Sequence, residues 1–168
     1  ALEVLESIEA LRSGQGEERL MTVTRALAVE MLLLGKLATD VEDAKAKVKH
    51  ALRSGAAAER FERMVAALGG PRDILNHPEI HLPRAKVRLE VQPSRAGFVR
   101  SMDVRAIGLI VLSMGGGRRR AEDQIDPAVG LAAVASIGDR VGPGKPLAIV
   151  HAQSAEDARI AAADLQTA

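Results

Sequence analysis

Apolar positions recur at helical spacing through residue 80 and at strand spacing only beyond it. Leu2, Leu5, Ile8 and Leu11 share one helix face, and Gly14 and Gly16 mark the end of that segment. Leu20, Val23, Leu27, Met31 and Leu34 form a second stripe, with Gly35 as its expected stop. Thr39 and Glu42 have the spacing of a capping box, in which hydroxyl and carboxylate satisfy free N–H groups of a first turn. The helix they open runs to Ser54, and Gly55 suits the left-handed residue past its end. A fourth helix, Ala56 to Leu68, turns Phe61, Met64 and Val65 inward before Gly69, Gly70 and Pro71 break the pattern. No strand signal precedes residue 84.

The character then changes. Asn76 to Pro83 holds two prolines and two histidines and reads as a linker. Lys86 to Val91 alternates, placing Val87, Leu89 and Val91 on one face of a half-buried strand. Phe98–Val99 reads as another short strand, and Asp103 as the cap of a helix from Val104 to Met114. Apolar runs at Val129–Ala135 and Leu147–Val150 predict further strands. Ser154 and Asp157 resemble a second capping box, opening a last helix to Leu165. The expected fold class is α+β.

Composition narrows the chemistry. The 168 residues suit one ordinary domain or two small ones, and 47% apolar with 27% charged residues is the balance of a soluble globular protein. Trp and Tyr are absent and Phe61 and Phe98 are the only aromatics, so stacking on nucleic-acid bases is almost out of reach. A net charge of +1 gives no long-range steering toward polyanions, and no nucleic-acid partner is expected. Without Cys there is no disulfide, thiolate metal site or Cys nucleophile, which is compatible with a reducing, cytoplasmic location. Apolar runs such as Ala106 to Leu112 are far short of the ~20 residues that span a bilayer, so no membrane partner is expected. The chain opens inside a helix-like pattern, without Met and without signal-peptide features, as a fragment would.

Several motifs admit a functional and a structural reading. Met114–Gly115–Gly116–Gly117–Arg118–Arg119–Arg120 offers open backbone N–H groups and positive charge, which suits a phosphate or a nucleic-acid backbone. Equally, the glycines can end the preceding helix with positive φ while the arginines form a solvated turn. The spacing is not that of a P-loop. Glu122, Asp123 and Asp126 are most simply paired with Arg118 to Arg120, surface ion pairs worth about 0–1 kcal/mol. Gly138 to Leu147 is a tight connection between strands, similar to the turn of biotinyl- and lipoyl-carrier domains. The modifiable Lys of those domains, within Met–Lys–Met or Asp–Lys–Ala, is missing, so the turn points to a related strand arrangement. His77 and His81 have i, i+4 spacing, but Pro78 and Pro83 disfavour the regular helix that a metal pair needs. His50 falls in a charged helix and His151 ends a strand; each histidine is read as structural or surface. No Ser–His–Asp set stands on a GxSxG turn.

Taken together, these residues resemble the thymidine (pyrimidine-nucleoside) phosphorylase family. The pattern of that family's C-terminal domain is met by Gly97–Phe98–Val99, Asp103, Ala106, Gly108, Met114 to Arg118, Asp123 and Ile125–Asp126. It continues through Val129–Gly130, Gly138–Asp139, Val141, Gly144, Pro146–Leu147 and Val150–His151–Ala152. Upstream, Ala1 to Ala10, Glu30–Met31–Leu32 and Arg63 to Pro71 are similar to the family as well.

The resemblance implies an architecture and a reaction. Residues 1–80 would be the helical end of an α/β catalytic domain, and residues 84–168 a small α/β-hammerhead, barrel-sandwich-like C-terminal domain. Family members are cytoplasmic homodimers that attack a pyrimidine nucleoside with phosphate, a pentosyl transfer giving free base and (deoxy)ribose 1-phosphate. Phosphate is a co-substrate, and no organic cofactor is implied. In the family, phosphate lies on a Lys–x–Ser–x–Gly–Gly loop and the base is held by an Arg, a Ser and a Lys, all upstream of the region matched here. Lys45, Lys47 and Lys49 belong to a helix instead. No catalytic or substrate-binding residue is therefore assigned to this chain, and alone it is expected to be inactive. Glu6 maps to one ligand of the family's structural monovalent cation, K+; an exposed helix glutamate is the alternative. Gln153 to Asp157 maps to a loop that takes part in domain closure. The helices are expected to expose apolar stripes that in the family pack on strands outside this region. A biotinyl/lipoyl-carrier-like binding module is the main alternative, and a nucleic-acid binder using Arg118 to Arg120 a third.

Overall fold

The computed structural model describes residues 1–168, which divide into two compact units: Glu3–His81, and Leu82–Ala168 with Ala1–Leu2. Helices α1 (Leu2–Ser13), α2 (Glu18–Leu34), α3 (Val41–Arg53), α4 (Ala56–Ala67) and the single turn α5 (Pro78–His81) precede the first strand. Their boundaries have local causes. Glu17 starts α2 by accepting the N–H groups of Arg19 and Leu20. The box expected at Thr39 and Glu42 is shifted by one residue. Asp40 caps α3 by accepting the Asp43 N–H at 2.9 Å, and Asp43 reaches back to the Thr39 N–H, also at 2.9 Å. A carboxylate outcompetes a hydroxyl for these donors, and Glu42 pairs with Lys45 instead. α5 stands where the sequence suggested only a linker. Pro78 occupies its first position, where a missing N–H costs nothing.

α2 stops at Gly35 as expected, though Gly35 itself is not the left-handed residue. Gly35 keeps helical backbone angles, and Lys36 is the residue with positive φ, 55°. Lys36 N–H donates to the Leu33 carbonyl and Leu37 N–H to that of Leu32, the paired bonds of a Schellman motif. Gly55, at φ 80°, does hold the left-handed position between α3 and α4.

α2 carries two apolar faces. Met21 and Val29 are buried, with Leu32 and Leu33 partly so. The predicted stripe Leu20, Val23, Leu27, Met31 and Leu34 is instead open, its exposure rising from 38% to 82% along the helix. That exposure matches the expectation drawn from the family. A helix with apolar residues on two sides is built to lie between two layers. On α4, Phe61 and Val65 are half-buried, but Met64 faces out at 50% exposure, contrary to the inward placement expected.

The second unit is α+β. Strands β1 (Val87–Val91), β2 (Gly97–Phe98), β3 (Gly130–Ala132), β4 (Arg140–Val141) and β5 (Ala148–Ala152) are joined by helices α6 (Val104–Val111) and α7 (Ala155–Leu165). β1, β5 and β3 form an antiparallel sheet with β5 in the middle, and β2 pairs with β4. The period-two reading of β1 is reproduced: Val87, Leu89 and Val91 stand opposite Ala152, Val150 and Ala148 of β5. The core joins Val91, Ala148, Val150 and Ala152 to Ile110 of α6 and to Ala158, Ala161 and Leu165 of α7. Small residues on both β5 and α7 let the helix lie close to the sheet. Asp103 and Ser154 cap α6 and α7 as expected.

Three expected elements change. The helix from Asp103 is α-helical only to Val111 and runs on in a π-helical turn, which the left-handed Gly115 interrupts just past the expected end at Met114. The run Val129–Ala135 narrows to β3, ended by Ala133 at φ 48°. The connection Gly138–Leu147 contains β4, so its true turn is Pro143–Gly144, closed by paired backbone bonds between Gly142 and Lys145.

Two substitutions test these causes. A side chain in the left-handed region costs about 1–2 kcal/mol, and glycine's extra chain entropy returns about 0.5–1 kcal/mol of that. Lys36→Gly should therefore stabilise the helical unit by about 0.5–1 kcal/mol in urea unfolding. Val150, fully closed to solvent, loses two methyl groups at about 0.8 kcal/mol each plus a cavity cost on mutation to Ala. Val150→Ala should destabilise the α+β unit by about 2–3 kcal/mol, and a loss under about 0.5 kcal/mol would contradict this packing.

Candidate functional site

The segment richest in chemical groups runs from Gly115 to Asp126. Its ends meet: Asp126 N–H donates to the Gly115 carbonyl at 2.9 Å. Gly115 has φ 92°, the left-handed conformation that turns the chain out of the preceding helix, while Gly117 is extended. Within the closed loop, the Asp123 carboxylate accepts the backbone N–H groups of Arg119 and Arg120 at 2.9 and 3.0 Å. That removes two backbone donors of the loop from any phosphate. The charge pairing expected between Glu122, Asp123 or Asp126 and the arginine side chains does not form. No ion pair involves Arg118, Arg119 or Arg120, and Asp123 serves the backbone instead. Backbone donors three and four residues away are fixed in place, whereas a guanidinium must give up rotamer freedom to pair.

Asp126 closes the arrangement. Its carboxylate accepts the Ala128 N–H at 2.9 Å and the Gln153 side-chain amide at 2.7 Å. Gln153 follows β5 directly, so the loop is tied to the central strand. This link was missed in the sequence, because nothing in the spacing of two residues 27 apart announces it. Within the expected closure segment Gln153–Asp157, Ser154 and Asp157 are engaged in capping α7.

The histidines do not converge. His81 Nε2 lies 2.7 Å from Asp73, while His77 Nδ1 lies 3.5 Å from Glu79. His50 is exposed on α3. His151 sits within β5 opposite Arg88. Its imidazole is held below its ordinary value of 6.5, first by burial and then by the Arg88 charge. Asp43 is lowered by its bond from Lys47, then by the Thr39 N–H. Glu6 lies exposed on α1, and no three His, Cys, Asp or Glu residues gather anywhere as a metal site requires. One solvated carboxylate does not fit a K+ ion, which needs several oxygens. Lys145 stands exposed at the Pro143–Gly144 turn, outside either carrier tripeptide. No helix is long and apolar enough to cross a membrane.

Comparison with known proteins gives a consistent picture. Residues 98–168 match the family described as pyrimidine nucleoside phosphorylase C-terminal domain. A thymidine phosphorylase of Burkholderia lata is 51% identical over 166 residues, covering 99% of this chain and 38% of its own length. One from Burkholderia cenocepacia is 52% identical over 162 residues, covering 96% of this chain and 37% of its own. The chain thus spans under two fifths of the length of the curated relatives it matches.

His151 supplies a pH test. As pH falls through 6.5, the unfolded chain takes up a proton more readily than folded His151 does. Its contribution to stability is thus full above that value and is lost as pH falls toward the lower, folded value. In urea unfolding between about pH 7.5 and about pH 5.5, His151→Gln should flatten the decline seen in the parent. An identical decline in both proteins would remove His151 from the account.

Proposed function

We infer that this chain, whose residues 98–168 belong to the pyrimidine nucleoside phosphorylase C-terminal domain family, is the C-terminal part of a thymidine phosphorylase. The observation that carries this reading is the extent of the match. At 51% identity it runs through 99% of the chain, so the helical unit takes part as well as the C-terminal domain. The whole enzyme, in this reading, catalyses reversible phosphorolysis of thymidine to thymine and 2-deoxyribose 1-phosphate. It does so as a cytoplasmic homodimer and by pentosyl transfer.

Such a reaction asks a protein to position two substrates and to stabilise developing charge. The residues here supply scaffold for it. The glycine–arginine loop uses its own carboxylates to hold its backbone, and no nucleophile, base and orienting group come together among the histidines and acids described above. The phosphate and base contacts belong to the part of the enzyme beyond these residues. The open stripe of α2 would be covered by that same part. Glu6 would supply one cation ligand among several contributed from there, and no step depends on it.

Assay of phosphate-dependent thymine release tests the reading. The purified chain should release none. A full-length enzyme made by joining these residues to the remainder of the Burkholderia lata relative should release thymine. Phosphorolysis by the chain alone, proportional to protein and surviving repurification, would overturn the assignment of the chemistry elsewhere.

A further inference from the structure

A cavity of about 440 Å³ opens in the helical unit where the end of α1 meets α2 and α3. Val29, Val48 and Leu52 give it apolar walls. Arg25 of α2 and Lys45, Lys49 and Arg53 of α3 add four cations, and no carboxylate lines it. The three α3 residues stand at i, i+4 and i+8, hence on one helix face, where like charges repel one another. The chain as a whole does not explain this concentration, since its 23 basic residues are balanced by 22 acidic ones.

The acids nearby leave the cavity largely uncompensated. Lys47, which does not line it, is paired with Asp43 at 2.8 Å. Lys45 has Glu42 at 2.8 Å, a pair whose side chains are 58% and 82% exposed. Lys49 and Arg53 enter no ion pair. The features that would repel an anion are the carbonyl ends of α1 and of α3, which stops at the lining residue Arg53. At the α1 end, Arg25 Nη2 donates to the Gly14 carbonyl at 3.2 Å, which covers that carbonyl and holds the guanidinium in place.

We propose that this cavity binds a small phosphorylated organic anion, its phosphate on Lys49, Arg53 and Arg25 and its less polar part against Val29, Val48 and Leu52. Guanidinium and ammonium groups together suit phosphate oxygens, by paired bonds and by point charge respectively. The volume falls in the range of small-molecule sites and exceeds what a bare phosphate fills. The site lies wholly within Glu3–His81 and stands apart from the reading of the chain as part of a phosphorylase.

Calorimetric titration of the 168-residue chain at low ionic strength tests the proposal, with uridine 5′-diphosphate and inorganic phosphate as probes. The nucleotide should bind saturably at one site, at least about tenfold more tightly than inorganic phosphate. Lys49→Gln with Arg53→Gln should weaken it by about tenfold or more, and Lys49→Arg should retain it. All these positions are exposed, and an unchanged helical circular dichroism spectrum will verify that the variants fold. Replacing Arg118, Arg119 and Arg120 by Gln should leave binding unchanged. Absence of saturable binding, equal affinity for both probes, indifference to the α3 substitutions, or loss on changing the arginine loop would each overturn the proposal.

Discussion

Ala148, Val150 and Ala152 of β5 are fully closed to solvent, and the α+β unit is organised around keeping them so. β1 and β3 take the two edges of β5, and Val87, Leu89 and Val91 pair with its inward residues. α7 presents Ala158 and Ala161 to the same core. In an almost aromatic-free protein, close approach replaces bulk, since dispersion gains depend on the number of atoms brought within contact distance. The same strand carries His151 and leads into Gln153, which holds Asp126 and through it the arginine loop. The most chemically suggestive loop is thus an attachment to the core.

The helical unit obeys a different constraint. α2 divides its apolar residues between a face turned inward and a stripe left open from Leu20 to Leu34. Burying such side chains stabilises by about 1.5–3 kcal/mol each, so an open stripe forgoes a large contribution. In the reading proposed above, the rest of the enzyme covers that stripe.

Much of this architecture was readable in the sequence. Helical and strand periods located α1, α2, α4 and β1, capping signatures located α3 and α7, and the faces of β1 followed from alternation alone. What failed was local competition. Asp40 displaced Thr39 as a cap because two acceptors one residue apart differ in strength rather than in pattern. The role of Asp123 was misread because charge sequence suggests side-chain pairing, while hydrogen-bond geometry favoured the backbone. The Asp126–Gln153 link and the cationic cavity depend on residues distant in sequence, and only the fold brings them together. Family resemblance, by contrast, was distributed over many positions and survived these local errors.

We infer that these 168 residues carry the scaffold of a pyrimidine-nucleoside phosphorylase and not its substrate contacts. Amide chemical shifts of the isotope-labelled chain, followed during titration with unphosphorylated thymidine, address it residue by residue. The account predicts no saturable shift at concentrations up to several times the ~1 mM upper range of ordinary Michaelis constants. Saturable shifts clustered on Gly115–Asp126 or on Gln153–Asp157 would contradict it.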